Sequence, residues 1–149
     1  MDHVLAPMES AIKQAMLARD KGEVPIGAVL VYEGQIVAES GNLTITNSDP
    51  TAHAEINVIR ERCATLNTQR IPDHDLYVTL EPCPMCASAI SNARLRKVIF
   101  GAYDPKSGGV DHGPKIFDHP QCHHKPEVIG GVMEQECQKI LTDFFENRR

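Results

Sequence analysis

Leu76-Tyr77-Val78-Thr79-Leu80 runs straight into Glu81-Pro82-Cys83-Pro84-Met85-Cys86. The first five residues form a short β-prone apolar run, the length of a strand buried on both faces. Pro82 has no N–H to give to a sheet ladder, and Pro84 has the fixed φ of a first helical turn. A buried strand passing directly into a helix belongs to an α/β architecture. The same junction carries chemistry. Cys83 and Cys86 are spaced i and i+3, so on a helix start their sulfurs share one face. The unpaired N–H groups and partial positive charge there favour thiolate over thiol.

The complement lies upstream, at His53-Ala54-Glu55. One imidazole and two thiolates fill three positions of a tetrahedral zinc and leave the fourth for water, as in a catalytic rather than a structural site. Zinc brings the pKa of such a water towards ~7. The hydroxide attacks a ring carbon bearing an exocyclic amine. Glu55 is then the shuttle that takes the water proton and hands it first to a ring nitrogen, then to the departing ammonia. Glu81 is expected to point away from the cup. The H-x-E…P-C-x-x-C spacing is that of zinc deaminases acting on nucleobases. Alone, the Cys pair would suit a redox couple or a structural zinc equally. A redox pair has no use for a neighbouring His-x-Glu. A structural zinc wants a fourth protein ligand, and Cys63, Cys122 and Cys137 lie at no tight ligand spacing.

The chain has 149 residues, the size of one domain spanning 1–149 with one core. Five cysteines are an odd number, which reads as thiols and metal rather than a disulfide frame. No apolar run is long enough to span a bilayer. The start, Met1-Asp2-His3-Val4, lacks the basic and apolar regions of a secretory signal. A cytoplasmic location is expected. Net charge is −5; phosphate partners usually meet a basic surface, so a polyanion would need a locally basic rim.

Periodicity and turn residues predict the order helix, hairpin, helix, strand, helix, strand, loop, strand, helix. The first helix follows Leu5, Met8, Ile12, Ala15 and Met16, with Pro7 in its first turn and Lys21-Gly22 after its end. Strands are expected over 27–32 and 35–39, joined by Glu33-Gly34. Helices are expected over 51–66, 83–92 and 132–147, strands over 75–80, 97–100 and 127–129. Residues 101–125 read as loop with one helical turn near 115–118. The pattern implies a mixed sheet covered by helices on both faces.

Over nearly its whole length the chain resembles the cytidine deaminase superfamily, and within it the bacterial tRNA adenosine deaminases. The likeness is carried by Glu23-Val24-Pro25-Ile26-Gly27-Ala28-Val29, Asn42, Asp49-Pro50-Thr51-Ala52-His53-Ala54-Glu55-Ile56, Leu76 through Cys83, Phe100-Gly101-Ala102, and the closing Phe144-Phe145-Glu146-Asn147-Arg148-Arg149. It implies a three-layer α/β/α fold with a five-stranded mixed sheet, a homodimer, and one zinc per subunit on His53, Cys83 and Cys86, with Glu55 as proton shuttle. It implies deamination of adenosine to inosine at wobble position 34 of a tRNA anticodon loop. Asn42 would hydrogen-bond the flipped nucleotide and the backbone around Ala54 would read the base. Asp104, Lys106, Phe145 and Arg149 would meet the neighbouring nucleotides; an aromatic ring and a guanidinium suit splayed single-stranded bases and phosphate.

Several positions depart from that pattern: Gly109-Val110-Asp111-His112-Gly113-Pro114, His123, and Leu43-Thr44 after Asn42. None touches the zinc; they bear on the substrate. A free-base deaminase, of guanine first and then of cytosine or cytidine, is the competing reading, and the acidic charge favours it. A zinc-stabilised binding module without turnover is a third, but it has no use for Glu55. Without the resemblance, Asn42 would read as a loop bracket, and His119, Cys122, His123 and His124 as a surface cluster rather than a second metal site. Of Phe144 and Phe145, one ring is expected inward and one exposed.

Overall fold

The computed structural model describes residues 2–148. Its elements are α1 (Asp2–Asp20), β1 (Gly27–Tyr32), β2 (Gln35–Gly41), α2 (Ala54–Leu66), β3 (His74–Leu80), α3 (Pro84–Ala93), β4 (Lys97–Ala102), a 3-10 turn (Ile116–Asp118), β5 (Glu127–Ile129) and α4 (Glu134–Glu146). They form one five-stranded sheet in the order β2-β1-β3-β4-β5. β1 pairs antiparallel with β2 and β3, whereas β3–β4 and β4–β5 are parallel. This is the three-layer α/β/α mixed sheet that the sequence implies.

Alternation along the strands sorts the core into two layers. On one face Leu30, Leu76, Val78, Val98 and Phe100 pack with Ala54 and Val58 of α2 and Ala87 and Ile90 of α3. On the other, Val29, Tyr77, Ile99 and Ala102 meet Met8 and Ala11 of α1 and Cys137 of α4. β3 runs through the middle, and only its last residue, Leu80, is not fully enclosed. That is why Leu76, Tyr77 and Val78 form an unbroken apolar run rather than alternating with polar residues. Gly27 and Gly41 face one another across the hairpin. A Cβ at Gly27 would collide with the Ala11 carbonyl oxygen, and one at Gly41 would come within 2.8 Å of the Ala18 Cβ. The two bare positions let α1 lie directly on β1 and β2.

Among the element boundaries that differ from expectation, three do so for plain local reasons. α2 begins at Ala54, not at 51. The Asp49 carboxylate accepts the Thr51 N–H (2.8 Å) and hydroxyl (2.7 Å), which holds 49–51 in a side-chain turn. α4 begins at Glu134 rather than 132, because Met133 before it is left-handed at φ 54°. Pro7 lies inside α1, since that helix already starts at Asp2.

Candidate active site

Two helix beginnings converge on one point. His53 is the N-cap of α2 and Cys83 the N-cap of α3, both in extended conformation, and neither side chain caps its own helix. They turn to each other instead. His53 Nδ1 lies 3.6 Å from Cys83 Sγ and 3.5 Å from Cys86 Sγ. All three donor atoms are within 4.8 Å of one another. Nitrogen and sulfur bound to one tetrahedral zinc at about 2.0 and 2.3 Å stand about 3.6 Å apart, so the spacing fits that ion without rearrangement. An imidazole with two thiolates is also the donor set that zinc accepts and hard cations do not. The contact with Cys86 takes the Cys83 thiol down to about 4, while the same contact and burial push Cys86 up.

Glu55, one residue into α2 from Ala54, is 4 % exposed. Burial raises its carboxyl to about 7, and the thiolate of Cys83 adds to this; its own backbone N–H, His53 and Cys86 pull the other way. A carboxyl balanced near neutrality both takes and returns a proton. Glu55 is not among the clustered metal-ligating atoms, so it remains available for that task.

The expected substrate residues divide into two groups. Asn42 and Ala54 sit beside the cup. Ala54 is fully buried, so only its backbone is at hand. Asn42 is 7 % exposed, and its Oδ1 accepts the Thr44 N–H at 3.2 Å. The next residue, Leu43, donates its N–H to Ala52 O, one position before His53. Asn42 therefore brackets its loop as a bare asparagine would, with the side-chain amide donors left over. Asp104, Lys106 and Phe145 line a separate groove of about 690 Å³ with Val24, Leu80 and Tyr103. Phe145 is 50 % exposed and Phe144 buried, with Arg148 stacked 4.2 Å over the Phe144 ring. Arg149 lies outside the described residues.

Among the described residues, His53, Cys83 and Cys86 form the one group of three or more ligating side chains close enough to hold an ion. Two histidines of the 119–124 cluster are spent on backbone: His119 Nε2 donates to Pro114 O and His124 Nε2 to Leu95 O, each at 2.6 Å. All five cysteines are free thiols. Two buried glutamates have roles that sequence reasoning missed. Glu23 accepts the Ile45 N–H, the Thr46 N–H and the Thr46 hydroxyl. Glu81 points away from the cup, as expected, into the backbone of 104–112. A fully apolar neighbourhood around a glutamate in sequence is a weak sign of such burial; its donors arrive from distant loops.

Residues 1–102 match the family described as the cytidine and deoxycytidylate deaminase zinc-binding region. The chain belongs to this family. The matched stretch contains all three ligand candidates and Glu55. This deaminase is 53 % identical over 142 residues, 95 % of its own length and 93 % of the other's, to the tRNA-specific adenosine deaminase of Agrobacterium fabrum. It superposes with TM-score 0.90 and 53 % identity on a solved structure from studies of A-to-I editing by tRNA:A34 deaminases at the wobble position of transfer RNA, covering 91 % of this chain and 99 % of that one. A guanine deaminase from Bacillus subtilis is similar at 40 % identity and TM-score 0.64 over 66 % of this chain and 63 % of its own. The groove residues beyond 102 are thus part of the longer likeness and not of the zinc-binding stretch.

Proposed function

We propose that this chain is a zinc-dependent hydrolase that deaminates adenosine to inosine at the wobble position, 34, of tRNA. The carrying observation is a three-donor cup, spaced for tetrahedral zinc, beside a buried carboxyl that no ligand position claims. His53, Cys83 and Cys86 would hold one zinc per subunit. Zinc bound there supplies a Lewis acid that makes a water ligand acidic near neutral pH. Glu55 would pass one proton of that water to the purine N1 and then carry the second, from the oxygen newly bonded to C6, to the amine as the C6–N bond breaks and ammonia leaves. Asn42 offers side-chain amide donors to the flipped nucleotide, and the backbone at Ala54 meets the base.

The substrate assignment draws on the full-length likeness to tRNA-specific adenosine deaminases and on the separate groove walled by Asp104, Lys106 and Phe145. A free base needs no such groove. Asp104, Lys106 and Phe145 would meet flanking nucleotides there, an exposed ring offering a stacking face and the cation a phosphate contact, and the family likeness gives Arg149 a part in the same contacts. We assign a single deaminase domain over 1–149, acting as a cytoplasmic homodimer. Among the described residues no helix is long and apolar enough to cross a membrane. Free guanine is the competing substrate, supported by the partial likeness to a guanine deaminase and by the net charge of −5.

Ammonia release from an anticodon stem-loop with adenosine at position 34, run beside guanine, cytosine and cytidine, tests the reading. Turnover is expected on the stem-loop, falling steeply as salt is added. Turnover on guanine with none on the stem-loop would refute it.

A further inference from the structure

Glu81 takes no part in the chemistry above, yet its side chain is completely enclosed. A buried carboxylate is costly unless its oxygens are fully hydrogen-bonded. Here one loop does all of it. Oε1 accepts the Asp104 N–H (3.0 Å) and the His112 Nδ1–H (2.8 Å). Oε2 accepts the N–H groups of Val110 (3.2 Å), Asp111 (2.9 Å) and His112 (3.1 Å). The carboxylate therefore gathers both ends of 104–112 onto the residue two before Cys83. The loop touches the metal-bearing segment directly as well, where the Gly109 N–H donates to Pro82 O at 2.8 Å. There is no spare room: a Cβ at Gly109 would come within 2.5 Å of Pro84 N, and one at Gly108 would strike Glu81 Oε2. Asp104 and Lys106, which wall the groove, ride on this loop.

We propose that Glu81 is a positioning residue: it holds the groove wall in register with the metal cup, so that nucleotides flanking the reacting base meet a surface already in place. The proposal rests on the stem-loop reading above. Without the carboxylate the loop spends less time in the competent arrangement, and apparent affinity falls by that fraction. Glu55 and the ligands are untouched, so bound substrate reacts as before. Glu81 acts on KM rather than on kcat.

The test is steady-state kinetics on the wobble-adenosine stem-loop for wild type, Glu81→Gln and Gly108→Ala, with zinc measured on the same samples. Glutamine keeps the size but turns a donor towards backbone N–H groups. Alanine at 108 displaces the carboxylate while leaving it in the chain, and carries the test should Glu81→Gln fail to fold. KM is expected to rise roughly tenfold if the competent fraction falls to about a tenth, with kcat within about twofold of wild type and zinc unchanged. A merely destabilised enzyme behaves differently: kcat drops with the folded fraction while KM stays put. That result, an unchanged KM, or loss of zinc overturns the assignment. A wild type inactive on the stem-loop overturns the substrate reading and this assignment with it, an outcome distinct from an active wild type whose KM the variants share.

Discussion

Glu55 and Glu23 are both buried glutamates, yet their surroundings drive their carboxyls in opposite directions. Around Glu55 burial wins and lifts it to about 7. Around Glu23 burial also works upward, but hydrogen bonds from Thr46, Ile45 and Thr44 outweigh it and hold the group below its ordinary range. The first is suited to moving protons, the second to remaining charged. Glu55→Gln should therefore keep zinc, measured by metal analysis, and lose at least about 10²-fold in turnover, the scale of a general acid–base group. Glu23→Gln should behave as a stability variant. The folded chain binds this proton less readily than the unfolded chain, so Glu23 stabilises above the unfolded pKa and the benefit vanishes as pH falls through the folded value. Denaturation curves at a series of pH values should show the variant weaker at pH 7 and the gap closing in acid. The sequence singled out Glu55, because His-x-Glu is a local pattern. It concealed those of Glu23 and Glu81, because their donors come from 22 to 31 residues away. The stretch 109–114 reads in sequence as altered RNA contact; in the fold the amides of Val110, Asp111 and His112 are ligands of a carboxylate.

At the scale of elements, periodicity located every strand and helix, and the misplaced ends have local causes. The start of α2 is set by the Asp49 carboxylate, which competes with the helix for the Thr51 N–H. Such competition is invisible to a pattern of apolar spacing. Packing between elements was also only half legible. The apolar stripe of α1 announces a buried face, but nothing in the stripe says how near it approaches. That distance is written in the partner strands, at Gly27 and Gly41, where α1 meets backbone. Gly27→Val should force α1 away from the hairpin and cost about 1–3 kcal/mol, the range for an overfilled contact. Urea unfolding monitored by circular dichroism would show it as a lower midpoint with unchanged slope.

For the whole molecule, β2 and β3 both run antiparallel to β1, and so in one direction, which delivers the helix beginnings that follow them to the same end of the sheet, where open α/β sheets place ligands. Sequence alone gave the donor types; only the topology brings position 53 beside positions 83 and 86. The acidic net charge is a property of the surface as a sum and says little about one groove. One consequence of the geometry reaches past catalysis. His53 and Cys83 occupy cap positions but leave the leading amides of their helices uncapped by side chain. The ion they serve is then the clasp that joins the two, and occupancy and order are a single equilibrium. Stripping the ion with a chelator should hasten hydrogen exchange first at the opening turns of α2 and α3, while β3 stays protected. An enzyme built this way would lose its reactive pocket before it lost its fold, and readdition of zinc would restore both protection and turnover together.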